Sequence, residues 1–206
     1  MNQTERGNKH SELIKGVLMK ITKNKSDEEL MQHVQEGAEW AFNALYERYS
    51  QRILYFMYKM LRQDEAKAQD LLQDVFLKIV EAPEKFDVKR SFKTWIFTVA
   101  ANSCKNYFRA QKGGFLALEQ APELSTAPAL IQVNSAAFKK QLNNALDELS
   151  YVYKEAFVLK YKEGLSLQEI ALVMDCPLGT VKSRLSSATK LLGKRLAPFK
   201  ASLFVD

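Results

Sequence analysis

Between Gln63 and Lys112, two successive stretches each repeat apolar residues at helical spacing while their charge reverses sign, and no other feature constrains the chain more. From Gln63 to Asp87, seven acids (Asp64, Glu65, Asp70, Asp74, Glu81, Glu84, Asp87) stand against three lysines (Lys67, Lys78, Lys85), a net −4. From Val88 to Lys112 the chain carries Lys89, Arg90, Lys93, Lys105, Arg109 and Lys112 and no acid, a net +6. Two neighbouring helices of opposite charge suit partners of opposite sign.

In the first stretch Leu71, Leu72, Val75, Phe76, Ile79 and Val80 recur at three- and four-residue steps, which predicts one core-facing side of an α-helix. Asp70, Gln73, Asp74, Leu77 and Glu81 share the other side. An acidic stripe fits either a solvated face or a protein-binding one. Leu77, in the middle of it, favours the protein-binding reading. The second helix is expected from about Ser91 to Lys112, with Phe92, Trp95, Ile96, Val99, Ala100 and Tyr107 buried. Its opposite stripe, Thr94, Thr98, Asn102, Lys105, Arg109 and Lys112, is basic and free of carboxylates, and it suits a polyphosphate backbone. Phe86, Phe97 and Phe108 flank this stripe, either as rings that stack on unpaired bases or as core.

The remaining chain also reads as helix. Ser26 with Glu29, and Ser166 with Glu169, are capping-box signatures, each marking a helix start. Leu30, Val34, Ala41, Phe42, Leu45, Tyr46, Tyr49, Ile53, Leu54 and Met57 continue at helical spacing through two helices broken near Gly37. The five prolines are expected at boundaries, and neither strand alternation nor a hairpin turn dipeptide occurs, so the fold is expected to be all-α. Residues 1–25 read as a flexible N-terminal extension with a short amphipathic pattern at Leu13, Ile14, Val17, Leu18 and Ile21. Residues 26–112 form a first helical domain, 113–137 a flexible linker punctuated by Gly113, Gly114, Pro122 and Pro128, and 138–206 a second domain. Fully extended, about 24 linker residues reach roughly 80 Å, more than two turns of B-DNA at about 34 to 36 Å each.

The second domain ends in a helix-turn-helix pattern. Ile170, Ala171 and Met174 give its first helix an apolar side, Asp175-Cys176-Pro177 the break, and Val181, Leu185, Ala188 and Leu192 the buried side of the second helix. The other side presents Gly179, Lys182, Ser183, Ser186, Ser187, Lys190 and Lys194, a small and basic surface suited to a major groove. From Pro177 to Asp206, six bases face one acid.

Composition narrows the function classes. A formal charge of +6 favours a nucleic acid or an acidic surface as partner. Two cysteines far apart in sequence, Cys104 and Cys176, suit a reducing cytoplasm without a disulfide framework. No apolar run approaches the roughly 18 residues needed to span a bilayer. His10 and His33 are isolated, and there is no metal-ligand spacing, phosphate-binding glycine loop or nucleophile motif, so neither an enzyme nor a bound metal or cofactor is expected.

Two sets of motifs now carry a resemblance. The run Asp70-Leu71-Leu72-Gln73-Asp74-Val75-Phe76, then Phe86, Ser91-Phe92-Lys93-Thr94-Trp95-Ile96 and Val99-Ala100-Ala101-Asn102, resembles region 2 of an extracytoplasmic-function sigma factor of RNA polymerase. Gly164-Leu165-Ser166, Glu169-Ile170-Ala171 and Pro177-Leu178-Gly179-Thr180-Val181-Lys182-Ser183-Arg184 resemble region 4 of the same family. The resemblance implies two small helical domains, one binding core polymerase and the −10 element and the other binding the −35 element. Asp70, Gln73, Asp74, Leu77 and Glu81 would then meet the clamp helices of the polymerase β′ subunit, with the β subunit a further contact of the factor. Phe86, Lys89, Arg90, Thr98, Asn102, Lys105, Asn106 and Arg109 would hold −10 DNA, with a flipped base captured by the loop from Phe86 to Thr94 and by Asn102. Thr180, Lys182, Ser183, Arg184, Ser186, Ser187 and Lys190 would face the −35 duplex. An anti-sigma factor is a further implied partner. Three positions depart from the family's habit. Ser186 and Ser187 are small where relatives carry larger or basic side chains, which favours shape or water-mediated readout. Ser150 stands where Pro is usual. The competing reading is a self-sufficient helix-turn-helix transcriptional regulator with an N-terminal dimerisation or ligand module.

Overall fold

The structure, a computed structural model, describes residue 22, residues 24–111 and residues 136–202. The expected amphipathic pattern at Leu13 to Ile21 and nearly all of the expected linker lie outside these residues. Among the described residues every regular element is helical.

Helix α1 (Asp27–Gln35) starts at Ser26, whose hydroxyl accepts from the Glu29 N–H at 3.1 Å while the Glu29 carboxylate accepts from the Ser26 N–H at 2.7 Å. The capping box is therefore complete. Gly37, at φ 86°, supplies the left-handed turn into α2 (Glu39–Met60), a conformation that costs a glycine nothing. Asp64 caps α3 (Glu65–Glu81), a 3₁₀ turn follows at Pro83–Lys85, and Ser91 caps α4 (Phe92–Ala110). Leu30, Leu45, Ile53, Phe56, Val75, Ile79, Phe92, Ile96 and Phe97 are closed off from solvent at the centre of this bundle. Phe92 sits among Tyr49, Phe86 and Trp95 with ring centroids 5.3 to 5.7 Å apart, a spacing that favours edge-on contacts.

The second half begins with α5 (Ala136–Asp147) and α6 (Tyr151–Phe157), the latter running into a π-turn at Val158–Lys162. Ser150, in the place of the usual Pro, is the N-cap residue of α6, and its carbonyl accepts from the Lys154 N–H at 3.0 Å. Helices α7 (Leu167–Met174) and α8 (Leu178–Ser202) form the expected helix-turn-helix. Ser166 and Glu169 complete the second capping box, and Asp175, at φ 51°, makes the left-handed turn between the two helices. Pro177 stands one position ahead of α8, where its carbonyl accepts from Thr180 and Val181.

Three local expectations change. Val80 is not core but more than half exposed. At roughly 100° per residue it lies about 110° from the centre of the arc buried at Ala68, Leu71, Leu72, Val75, Phe76 and Ile79, beyond the edge of that face. Leu149, whose spacing after Leu142, Ala145 and Leu146 predicts the same helix, falls past the end of α5. Pro198 lies within the bounds of α8 rather than at a boundary, close to the end of the helix, where few intrahelical bonds remain to be lost.

The largest departure concerns the arrangement of the halves. They are not two beads set apart: α4 packs along α7, α2 touches α6, and one continuous apolar cluster runs from the first bundle through Tyr151, Val152, Leu159, Ile170, Met174 and Val181. Phe108 meets Tyr151 edge-on at 5.8 Å across the seam.

Truncating Phe92 to Ala should therefore destabilise the chain by about 3 to 5 kcal/mol. Leu77→Ala, at a side chain 53 % exposed, should cost no more than about 0.5 kcal/mol. Urea denaturation followed by circular dichroism checks both.

Candidate polymerase and DNA interfaces

The acidic stripe of α3 is free. Asp70, Gln73, Asp74, Leu77 and Glu81 are all exposed, and so is Val80 beside them. Asp70 engages only Lys67, one helical turn back on the same helix, at 3.5 Å. The result is an acidic surface with two large aliphatic side chains in it, carried on a helix whose other side is anchored by Leu72, Val75 and Ile79. A rigid helix bearing that mixture presents both charge and apolar area to a protein partner.

The basic stripe of α4 has a different setting. Asn102, Asn106 and Arg109 are exposed, Thr98 is half-buried with its hydroxyl donating to the Thr94 carbonyl at 2.8 Å, and Lys105 is buried. Lys105 Nζ lies 3.3 Å from a carboxylate oxygen of Glu155, which is itself 1 % exposed. Thr94 is buried as well and donates to Glu169 at 3.0 Å. Phe86 and Phe97 are closed core side chains, Phe86 tilted against Trp95 at 5.2 Å and Phe97 edge-on to Phe56 at 5.6 Å. Of the two readings left open for the flanking rings, core packing holds for Phe86 and Phe97. Lys89 and Arg90 sit exposed on the loop after Phe86, where Asp87 caps the Lys89 N–H at 3.0 Å.

On α8, Lys182, Ser183 and Ser186 are exposed, and Thr180, Ser187 and Lys190 are partly so. Ser183 donates to the Thr180 carbonyl at 2.9 Å, so its hydroxyl already has an acceptor within the helix. Arg184 departs from this group. Its guanidinium lies 3.6 Å from the Cys176 sulfur, and it lines a cleft of ≈ 210 Å³ together with Asn102, Lys105, Arg109 and Glu155. The structure thus brings one residue of the expected −35 face into the same cleft as three residues of the expected −10 face.

The seam between the halves has a consistent polarity that sequence reasoning missed. Among the described residues, the ion pairs across it set carboxylates of the second half on cations of the first, while Lys162 of the second half lies over the Tyr55 ring at 5.1 Å. Asp147 lies 3.4 Å from Lys59 and accepts from Gln63, Glu155 faces Lys105, Glu163 lies 2.8 Å from Arg52, and Glu169 accepts from Thr94. Lys93 adds a bond to the Glu163 carbonyl. One signal was present: Lys154 and Glu155 interrupt an otherwise apolar run from Tyr151 to Leu159, and charges in such a run are seldom buried without a partner.

The environments differ along the seam. Burial pushes the Glu155 carboxyl above its ordinary value, against the opposing pull of Lys105 and Arg184. Burial acts in the same direction on Glu169, but hydrogen bonds from the Ser166 backbone and hydroxyl and from Thr94 outweigh it and hold that carboxyl below the usual range. Burial lowers Lys154 against the pull of Asp147. Cys104 and Cys176 are both free thiols pushed up by burial, so neither is an activated thiolate. Among the described residues no group of three or more His, Cys, Asp or Glu side chains could hold a metal ion, and no helix is long and apolar enough to cross a membrane.

Comparison with known proteins joins these two surfaces to one family. The family model described as Sigma-70 region 2 matches residues 45–113, and that described as Sigma-70, region 4 matches residues 139–192. The RNA polymerase sigma-H factor of Pseudomonas aeruginosa is 30 % identical over 183 residues, covering 84 % of this chain and 94 % of that protein. The ECF RNA polymerase sigma-E factor of Haemophilus influenzae is 29 % identical over 184 residues, covering 84 % and 96 %. Among solved structures, CnrH in complex with the cytosolic domain of CnrY shares the fold with a TM-score of 0.62 at 22 % identity, over 84 % of this chain and 99 % of that one. The sigma factor RpoE in complex with the anti-sigma factor NepR from Bartonella quintana gives 0.60 at 24 %, over 76 % and 96 %.

Charge reversal should separate the free face from the buried seam. Asp70→Lys with Asp74→Lys should leave unfolding free energy within about 0.5 kcal/mol of the parent, whereas Lys105→Ala, which strands Glu155, should cost about 3 to 5 kcal/mol. Equilibrium denaturation of the two variants side by side checks the contrast.

Proposed function

Because the chain belongs to the extracytoplasmic-function sigma factors of RNA polymerase, we propose that its exposed acidic and basic surfaces divide promoter recognition between them. Asp70, Gln73, Asp74, Leu77 and Glu81 on α3 dock on the clamp helices of the polymerase β′ subunit. The observation that carries this assignment is that the acids stay exposed beside Leu77 and Val80, at 53 % and 55 % exposure, on a helix otherwise fixed in the core. Charge on such a face steers encounter, and the two aliphatic side chains supply area for burial on docking.

Asn102, Asn106 and Arg109, with Lys105, Thr98 and the loop residues Lys89 and Arg90, take the −10 element. The amide of Asn102 offers paired donor and acceptor groups for the edge of a flipped base, and the cations follow the phosphates. Phe86 acts by shaping the loop from beneath rather than by stacking on DNA, since its ring is buried against Phe92 and Trp95. On α8, Thr180, Lys182, Ser183, Arg184, Ser186, Ser187 and Lys190 face the −35 duplex. Their short hydroxyls let the helix approach the groove closely and leave much of the discrimination to duplex shape and bridging water. The division into residues 26–112 and 138–206 follows these two tasks. We assign the chain no catalytic role and place it in the cytoplasm with the polymerase. An anti-sigma protein is proposed as a further partner, in keeping with the capture of RpoE by NepR.

Purified chain mixed with core RNA polymerase should form a complex and then direct discrete transcription starts from genomic DNA. Asp74→Lys should weaken polymerase binding about tenfold or more, equivalent to about 1.4 kcal/mol, without loss of helicity. Asn102→Ala should slow open-complex formation while leaving polymerase affinity unchanged. Binding to specific duplex DNA in the absence of any polymerase contact would overturn the assignment of the α3 face.

A further inference from the structure

Two side chains of α1 end on the loop proposed to capture the flipped base, one at each end of it. Gln35 Nε2 donates to the carbonyl of Pro83 at 3.0 Å and to that of Phe86 at 2.9 Å, where the 3₁₀ turn gives way to the loop. Glu28 Oε1 accepts from the Phe92 N–H at 2.9 Å, where the loop enters α4. That amide is one of the first-turn donors that a helix leaves without an intrahelical partner. Ser91 satisfies the Thr94 N–H, and the first turn of α4 holds no acid of its own, so the carboxylate at its positive end comes from α1.

Seven positions separate Glu28 from Gln35, which sets them on one side of α1 about 10 Å apart. Other groups hold α1 itself in place. Leu30 and Met31 are closed off from solvent beneath it, and Asp27 accepts from Arg48 and Tyr49. The hydrogen bonds of the Glu28 and Gln35 side chains go instead to the two ends of the loop. Between these grips Asp87 folds the tip back, accepting from the Lys89 N–H at 3.0 Å through its carboxylate and from the Arg90 N–H at 2.9 Å through its carbonyl. Lys89 and Arg90 are thus carried, exposed, on a short loop fixed at entry and exit. Both α1 residues precede residues 45–113, which match the region 2 model.

We propose that Glu28 and Gln35 are positioning residues for −10 recognition: by pinning both ends of the loop they fix the shape it offers to the flipped base, and with it the preference among the four bases. This rests on the assignment of the loop and Asn102 to −10 DNA. It extends that assignment to side chains that act on the DNA through the loop. Extruding a base costs stacking and pairing energy, which a pocket offsets best when its walls are already in place. A loop released at either end must be ordered at the expense of binding, and a looser pocket separates similar bases less well.

The test uses the full chain assembled with core RNA polymerase, on a promoter whose start has been mapped and whose −10 region is supplied as a premelted bubble. Each unpaired non-template position carries the four bases in turn, and the relative affinities give the base preference. Polymerase affinity, helicity and the thermal midpoint are followed alongside. Glu28→Ala and Gln35→Glu, the latter setting a carboxylate against two carbonyls, should each cut the preference at the captured base about fivefold, the net worth of a hydrogen bond. Polymerase affinity should not change. Glu28→Gln keeps the acceptor and should keep the preference. Ile53→Val, a change in the closed core that lowers the thermal midpoint, should leave the preference intact and so separates positioning from stability. Asn102→Ala marks the site itself. If it abolishes the preference while both α1 variants retain it, the proposal is overturned. A loss that Glu28→Gln shares with Glu28→Ala, or that Ile53→Val reproduces, overturns it as well. Should Asn102→Ala leave the preference intact, the −10 assignment itself has failed, and the positioning role falls with it.

Discussion

The structure depends on α4 having almost no free side. Phe92, Ile96, Phe97, Ala100 and Cys104 close the first bundle, while Thr94, Lys105 and Phe108 on the same nineteen-residue helix meet the second half. A helix packed by two cores keeps only a narrow solvated stripe, here Asn102, Asn106 and Arg109, because its 3.6-residue turn leaves little arc over. The cations and hydroxyls on its second side therefore need buried partners. The second half supplies them as carboxylates from α6 and α7 and as the backbone carbonyl of Glu163 just past the π-turn.

That requirement accounts for the opposed character of the second half. Its recognition helix α8 is basic and largely exposed, while the side turned toward α4 and α2 is acidic. The same small domain thus carries a basic face on one side and an acidic face on the other. Helix α3 stands apart from this exchange. With its acids on the outer face, it keeps that face exposed while the two halves pack together.

Much of the fold could be read directly from the chain. Both capping boxes, the break at Gly37 and the turn at Asp175 rest on interactions within a few residues, so they need no knowledge of distant partners. The α3 stripe was legible for the same reason, since the buried and exposed arcs of one helix follow from its own periodicity. Val80 was misplaced because a three- and four-residue step tolerates a residue at the edge of the arc, and only the packing of Phe42 and Tyr46 against Phe76 fixes where the edge falls.

The sequence by itself determined the helices, their caps, the family and the sign of charge on each face, because all of these are carried by local spacing and residue type. Tertiary structure alone decided that Phe86 and Phe97 are core, that Lys105 and Thr94 are buried, and that Arg184 shares a cleft with Asn102. Apart from Phe86, whose ring packs on Phe92 and Trp95 close by in the chain, each of these depends on which carboxylate, ring or side chain arrives from more than forty residues away. Glu155 meets Lys105 from fifty positions along the chain, and no periodicity within either segment encodes that meeting. Burial of a charge is a property of the pair, so it became visible only when both halves were in place.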